Sequence, residues 1–199
     1  MKLVRSAILV AAAAAVALVP TAALADGSGH SDTWSDVQSV PSDAQGNVAP
    51  GATATAEPTT TNGDLRSVHA SNTARKVKVV MQFADLHPGG VAQIHEVFIA
   101  TPKGARVAFV TAYAGNWGGK AGLQTLHHKK IRCSVGHHID YAHHKVVVKV
   151  PSSCLGHPKV IKVGAATLIA DGTKIYYDDA YTTGGSFFDN FGTSPKIHR

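Results

Sequence analysis

The stretch Lys76-Val-Lys-Val-Val-Met-Gln-Phe83 decides the fold class. In an extended chain its Val77, Val79, Met81 and Phe83 fall on one face, and Lys76, Lys78 and Gln82 on the other. A period of two is the mark of a strand with one face in a core and one in water, the usual state of an antiparallel sheet. Working outward, His87-Pro-Gly-Gly90 reads as a turn, residues 94–100 as a second strand closed by Thr101-Pro-Lys-Gly104, and residues 106–113 as a third ending at Gly115-Asn-Trp-Gly-Gly119. Residues 121–126 and 130–133 are shorter candidates. Lys145-Val-Val-Val-Lys-Val150 is strong and stops at Pro151, and residues 160–169 and 175–177 flank a turn at Ala170-Asp-Gly-Thr173. Short strands punctuated by Gly, Pro and Asn turns predict an all-β chain, an antiparallel β-sandwich or jelly roll of about 8–9 strands. Helical periodicity is confined to one turn at Ser152-Ser-Cys-Leu155.

The flanks have a different character. Lys2 and Arg5 precede an uncharged apolar run over residues 7–19, and Ala23-Leu24-Ala25 is a small-x-small site, so residues 1–25 read as a signal peptide cut after Ala25. The expected product is secreted, with no integral membrane span after cleavage; retention of the run as an anchor is the alternative. Residues 26–64 hold six carboxylates and no Lys or Arg, and Pro50 to Thr61 is small and polar. Residues 26–61 are accordingly expected to form an acidic, flexible lead, with Trp34, Val37 and Val40 as candidates for an edge strand. The sandwich is expected over residues 62–183, and residues 184–199 form a tail carrying Phe187, Phe188 and Phe191. Cys133 and Cys154, the only two cysteines, predict a disulfide in an exported chain.

Several short motifs carry a resemblance. Asn62-Gly-Asp-Leu-Arg-Ser-Val-His69, Phe83-Ala-Asp-Leu86, Val150-Pro-Ser-Ser-Cys-Leu155 and Tyr177-Asp-Asp-Ala180 make residues 62–183 resemble small secreted β-sandwich proteins of high-G+C Gram-positive bacteria. That resemblance implies fold and export and no particular activity. The Gly63-Asp-Leu start is also distantly similar to extracellular carbohydrate-binding and DOMON-type sandwich modules.

Chemistry is expected from four features. The chain has 12 histidines, with doublets at His127-His128, His137-His138 and His143-His144. Imidazole suits Zn²⁺ or Cu²⁺, which makes His137, His138, His143 and His144 candidate ligands, although a doublet in a strand sends one ring to each face. A polar surface with His in place of Lys or Arg is the competing reading. Second, Trp117, Tyr113 and Tyr177 are candidates for a sugar-stacking platform, against a role in capping the core. Third, residues 66–199 carry 17 Lys plus Arg and 7 Asp plus Glu, although the whole chain is only +6. Anionic cell-wall polymer or polysaccharide is the partner that such a charge favours outside a cell, and the basic residues show no nucleic-acid motif. Fourth, Asp178 and Asp179 with Asp64 offer oxygens of the kind Ca²⁺ takes. No cofactor has a sequence template here; Zn²⁺, Cu²⁺ and Ca²⁺ are simply what the donors admit. A hydrolase needs two carboxyls across a cleft, and Glu96 has no nameable partner. There is no G-x-S-x-G elbow. The expectation is a non-enzymatic binding or adhesion module, with a histidine metal protein and a hydrolase as alternatives.

Overall fold

A computed structural model describes residues 26–33, 35–48, 50–182 and 192–199. The signal-peptide assignment, Trp34, and the tail aromatics Phe187, Phe188 and Phe191 lie outside the described residues. Among the described residues the strands, in chain order, are β1 Gly27–Ser31, β2 Gln38–Pro41, β3 Thr55–Ala56, β4 Leu65–Asn72, β5 Lys76–Phe83, β6 Ala92–Thr101, β7 Gly104–Tyr113, β8 Asn116–Thr125, β9 Lys130–Ile131, β10 Gly136–Asp140, β11 Lys145–Pro151, β12 Val160–Ala170, β13 Lys174–Asp179 and β14 Ile197–His198. Among the described residues the only helical pieces are 3-10 turns at Tyr141–His143 and Ser152–Leu155. No helix there is long and apolar enough to cross a membrane.

The strands form two antiparallel sheets. The smaller runs β1-β4-β5-β11-β10; the larger runs β3-β2-β13-β12-β6-β7-β8-β9, with β14 added to β12. Their facing sides make one core, and β5 behaves as its alternation requires: Val77, Val79, Met81 and Phe83 are buried while Lys76 and Lys78 are exposed. Val68 and Ala70 of β4 and Val146, Val148 and Val150 of β11 extend the same inner face, which meets Val97, Ile99, Val110 and Val163 of the larger sheet. Burying such side chains is the main stabilising contribution, about 1.5–3 kcal/mol for each Val, Ile or Met. A second, smaller cluster of Val40, Ile175 and Tyr177 lies on the outer side of the larger sheet, with Val48 and Leu168 packed against it.

Cys133 and Cys154 are joined in a disulfide, with Cα atoms 6.0 Å apart. It ties the loop before β10 to the 3-10 turn after β11, where Val135 of the loop packs against the main core and Leu155 of the turn is buried in it.

The structure bears on three sequence expectations. Within the expected flexible lead, β1 pairs with β4 along its full length, and β2, which contains the edge-strand candidate Val40, pairs with β13. These strands are poor in apolar residues, so they add to sheet edges through backbone hydrogen bonds, and Glu57 anchors the next loop by accepting from Ser39 and from Lys174, each at 2.7 Å. Of the expected tail over residues 184–199, the described residues 192–199 pack on the larger sheet, where β14 pairs with β12. Ser194 N–H donates to the Val163 carbonyl at 2.8 Å, its Oγ accepts from Val163 N–H at 3.0 Å, and Ile197 is buried. Finally, the Gly115–Gly119 stretch is mostly strand. β8 begins at Asn116 and carries a bulge between its pairings with Thr111 and Tyr113 of β7. Gly119 adopts φ +80 there, where an added Cβ would meet Val110 Cγ1 at 2.9 Å and Ile139 Cδ1 at 3.1 Å. The bulge turns the start of β8 toward β10.

Candidate functional site

The histidine doublets do not converge. Along β10 the alternation sends His138 outward and His137 inward, where its Nε2 lies 3.2 Å from the carbonyls of Gly118 and Gly119 in the β8 bulge. His143 pairs with Asp140 at 2.9 Å. His144, held at φ +49, takes the Leu86 N–H on Nδ1 at 3.0 Å and lies 3.2 Å from Asp85 Oδ1. His137, His143 and His144 each have a separate polar neighbour, His138 points outward, and the four candidates do not surround a common point. His127 and His128 are exposed beyond β8.

The aromatic platform is dispersed as well. Tyr113 is 45% exposed at the end of β7. Trp117 is half-buried against the main core, and its carbonyl accepts from Tyr141 Oη at 3.1 Å. Tyr177 is buried in the small outer cluster, three strands from β7 in the larger sheet, and its hydroxyl donates to Gln38 at 2.8 Å. Rings that cap cores cannot present one stacking surface.

Two other constellations form. The first is the outer face of the smaller sheet. Register places Gly27, Ser71, Lys78, Lys149 and Gly136 in one row across β1, β4, β5, β11 and β10. The next row is Gly29, His69, Val80, Val147 and His138. Lys78 and Lys149 stand directly opposite each other and are exposed, with Lys76 one pleat along. Among the described residues no carboxylate lies within 4.0 Å of these three. Like charges directly opposite destabilise a sheet by a few tenths to about 1 kcal/mol, so the row is an uncompensated electrostatic load.

The second constellation is acidic and lies at one end of the sandwich. The β1–β2 connection brings Asp32 and Asp36 to Asp64, just before β4, and to Asp178 and Asp179 at the end of β13. Ser35, at φ +63, makes the bend that sets Asp36 beside Asp64. One oxygen from each of Asp36, Asp64 and Asp178 lies within 4.8 Å of the other two. Among the described residues this is the single group of three or more His, Cys, Asp or Glu so placed. Asp178 accepts the Leu65 N–H at 2.6 Å. Asp64 is only 1% exposed, and the Arg66 guanidinium stands beside it with Nε 4.0 Å away. Asp64 Oδ1, Asp32 Oδ2 and both Asp36 oxygens are shut from solvent without a hydrogen-bond partner. Burial, helped by the neighbouring carboxylates, pushes Asp178 up to about 8. Burial likewise pushes Asp32 up to about 7 against a lowering hydrogen bond from Thr33. Asp36, Asp64 and Asp179 are raised for the same first reason. Beside them, burial and the charges of Asp179 and Asp32 push Tyr181 up to about 12.

Sequence reasoning had named Asp64, Asp178 and Asp179 as oxygen donors but not Asp32 and Asp36, which a flexible lead could not have positioned. The spacing of those two from each other was visible; their arrival beside residues over a hundred positions away was not. Glu96 faces outward on β6 between Ile94 and Phe98, half-buried and raised by burial. Comparison of the chain with protein-family models, with curated proteins and with solved structures finds no match.

Proposed function

We propose that this protein is a secreted, non-catalytic binding module that holds an anionic extracellular polymer, such as a cell-wall polymer or acidic polysaccharide, on the outer face of its five-stranded sheet. The observation that carries this reading is the directly opposed, uncompensated Lys78–Lys149 pair with Lys76 beside it on the outer face. A sheet edged by Gly27, Gly29 and Gly136 offers little relief to obstruct an extended chain. A polyanion bridging the lysines converts their repulsion into attraction, and such contacts weaken with salt. The acidic group suits a hydrolase less well, because its oxygens crowd within 4.8 Å and two of its members are buried. The scattered histidines likewise give a transition metal no common point.

The test is retention on a polyanionic polysaccharide and on a neutral glucan, at low and at high salt. The expected result is salt-sensitive retention on the polyanion alone, lost in the Lys78→Glu/Lys149→Glu variant. Equal retention by that variant, or no retention at any ionic strength, overturns the reading.

A further inference from the structure

We infer that Asp36, Asp64 and Asp178 form a binding site for a hard divalent cation, Ca²⁺ in particular, which clamps the β1–β2 connection onto the body of the sandwich. Geometry is the first support. Two oxygens bound to one Ca²⁺ at about 2.3–2.6 Å from the ion can be no more than about 5 Å apart. The three carboxylates, one oxygen from each within 4.8 Å of the others, satisfy that limit.

Unmet hydrogen-bonding capacity is the second support. Asp64 is 1% exposed, and its Oδ1 has neither water access nor a donor. Both Asp36 oxygens share that condition. Buried carboxylate oxygens are almost always paired, since stripping water from them without replacement is strongly unfavourable. Here Asp64 Oδ1 and both Asp36 oxygens lack a donor, and their carboxylates converge with that of Asp178, which keeps the Leu65 N–H. Arg66 stands against Asp64 at 4.0 Å and brings one positive charge to a group of carboxyls that also has Asp32 and Asp179 close by. A dication at the common point is the simplest species that meets both the charge and the orphaned lone pairs.

Donor chemistry fixes the class. All donors are oxygens, so the site does not favour Zn²⁺ or Cu²⁺, which are better served by imidazole or thiolate. Three carboxylates on three separate segments, with Asp32 and Asp179 near, form an irregular shell of the kind that Ca²⁺ accepts and that Mg²⁺, which demands a near-ideal octahedron, does not. The clamp would act on the sequence-distant part of the fold: Asp36 belongs to the N-terminal connection, Asp64 precedes β4, and Asp178 closes β13. This inference does not rest on the polymer reading. Ser71, which faces Lys78, is seven residues along the strand from Asp64, about 23 Å at 3.3 Å per residue, beyond the Debye length at physiological salt.

The experiment titrates the protein, stripped with a chelator, with CaCl₂ and separately with MgCl₂ by calorimetry, and follows thermal unfolding in chelator and in a saturating excess of each salt. The expected result is one Ca²⁺ per chain and a Tm several degrees higher in Ca²⁺. Asp36→Asn, which keeps the size of the side chain, should fold normally, lose at least tenfold in Ca²⁺ affinity and lose the Tm increase. Asp64→Asn is the second variant and should behave alike, with a chelated Tm at or above that of the parent because repulsion is relieved. Absence of saturable Ca²⁺ heat, or an undiminished Ca²⁺ response in Asp36→Asn, overturns the site. Tighter binding of Mg²⁺ than of Ca²⁺ overturns the assignment to calcium.

Discussion

Acid should unfold this protein partly through one side chain, His95. It sits on the inner face of β6, is wholly buried, and has Nδ1 3.0 Å from Thr167 Oγ1 and its ring 5.5 Å from that of Phe83. Its Nε2 has no partner. Burial in this apolar setting pushes it down from 6.5 to about 3. A folded-state value below the unfolded one means that the unfolded chain takes up a proton as pH falls below 6.5 while the native ring refuses it. Stability is therefore whole above 6.5 and declines toward pH 3. Each pKa unit is worth about 1.4 kcal/mol, so by pH 4 the loss is roughly 3 kcal/mol, a large part of a typical domain's stability. Other groups move oppositely: Asp178 and Asp32 are raised, so their repulsion is relieved as pH falls from about 8. The difference between parent and variant isolates the histidine. His95→Leu and His95→Gln remove the titration; at pH 7 they lose the Thr167 bond or reshape it, about 1–2 kcal/mol. Urea denaturation followed by circular dichroism at pH 7 and pH 4 measures both. The variants should gain roughly 3 kcal/mol relative to the parent between the two pH values, about 1 M or more in urea midpoint. A gap between parent and variant that is the same at both pH values refutes the argument.

Other outcomes follow from single contacts. Replacing Cys133 and Cys154 by Ala should lower stability by about 3 kcal/mol, read as a lower urea midpoint, because their separation of 21 residues constrains the unfolded chain. Gly90→Ala should destabilise by about 2 kcal/mol or more, since φ is +73 and the new Cβ would collide with the Ala170 carbonyl oxygen. Trp117→Ala should lower the melting temperature by removing a ring packed on the core while leaving polyanion retention unchanged; lost retention with intact stability would place the ligand at the β8 bulge instead. Lys78→Glu should raise stability by about 0.5 kcal/mol in low salt and not in high salt, through attraction to Lys149.

The alternation in β5, β6, β7, β11 and β12 was legible because burial on one face and water on the other leaves a period-two trace in the residues themselves. β1 and β2 left little trace. Gly-Ser-Gly-His-Ser and Gln-Ser-Val-Pro carry few apolar side chains, and backbone hydrogen bonds to a sheet edge have no residue code. The His doublets show the rule working against the expectation built on it. Alternation sends His137 and His138 to opposite faces, which prevents their convergence with His143 and His144.

The acidic constellation was half legible for a related reason. Net charge alone places the acidic N-terminal stretch against the basic body, and Glu57 with Lys174 does follow that rule. Asp32 and Asp36 break it by joining Asp64, Asp178 and Asp179, leaving Lys76, Lys78 and Lys149 uncompensated on an outer face. Strand pairing imposes this separation: once β1 adds to β4 and β2 adds to β13, the connection between them must pass the end where Asp64 and Asp178 already face each other. Repulsion among five carboxylates then opposes the pairing that creates it. Protons or the proposed cation would relieve that repulsion, and a polyanion, as proposed, would do the same for the lysines that the acids leave unneutralised on the outer face.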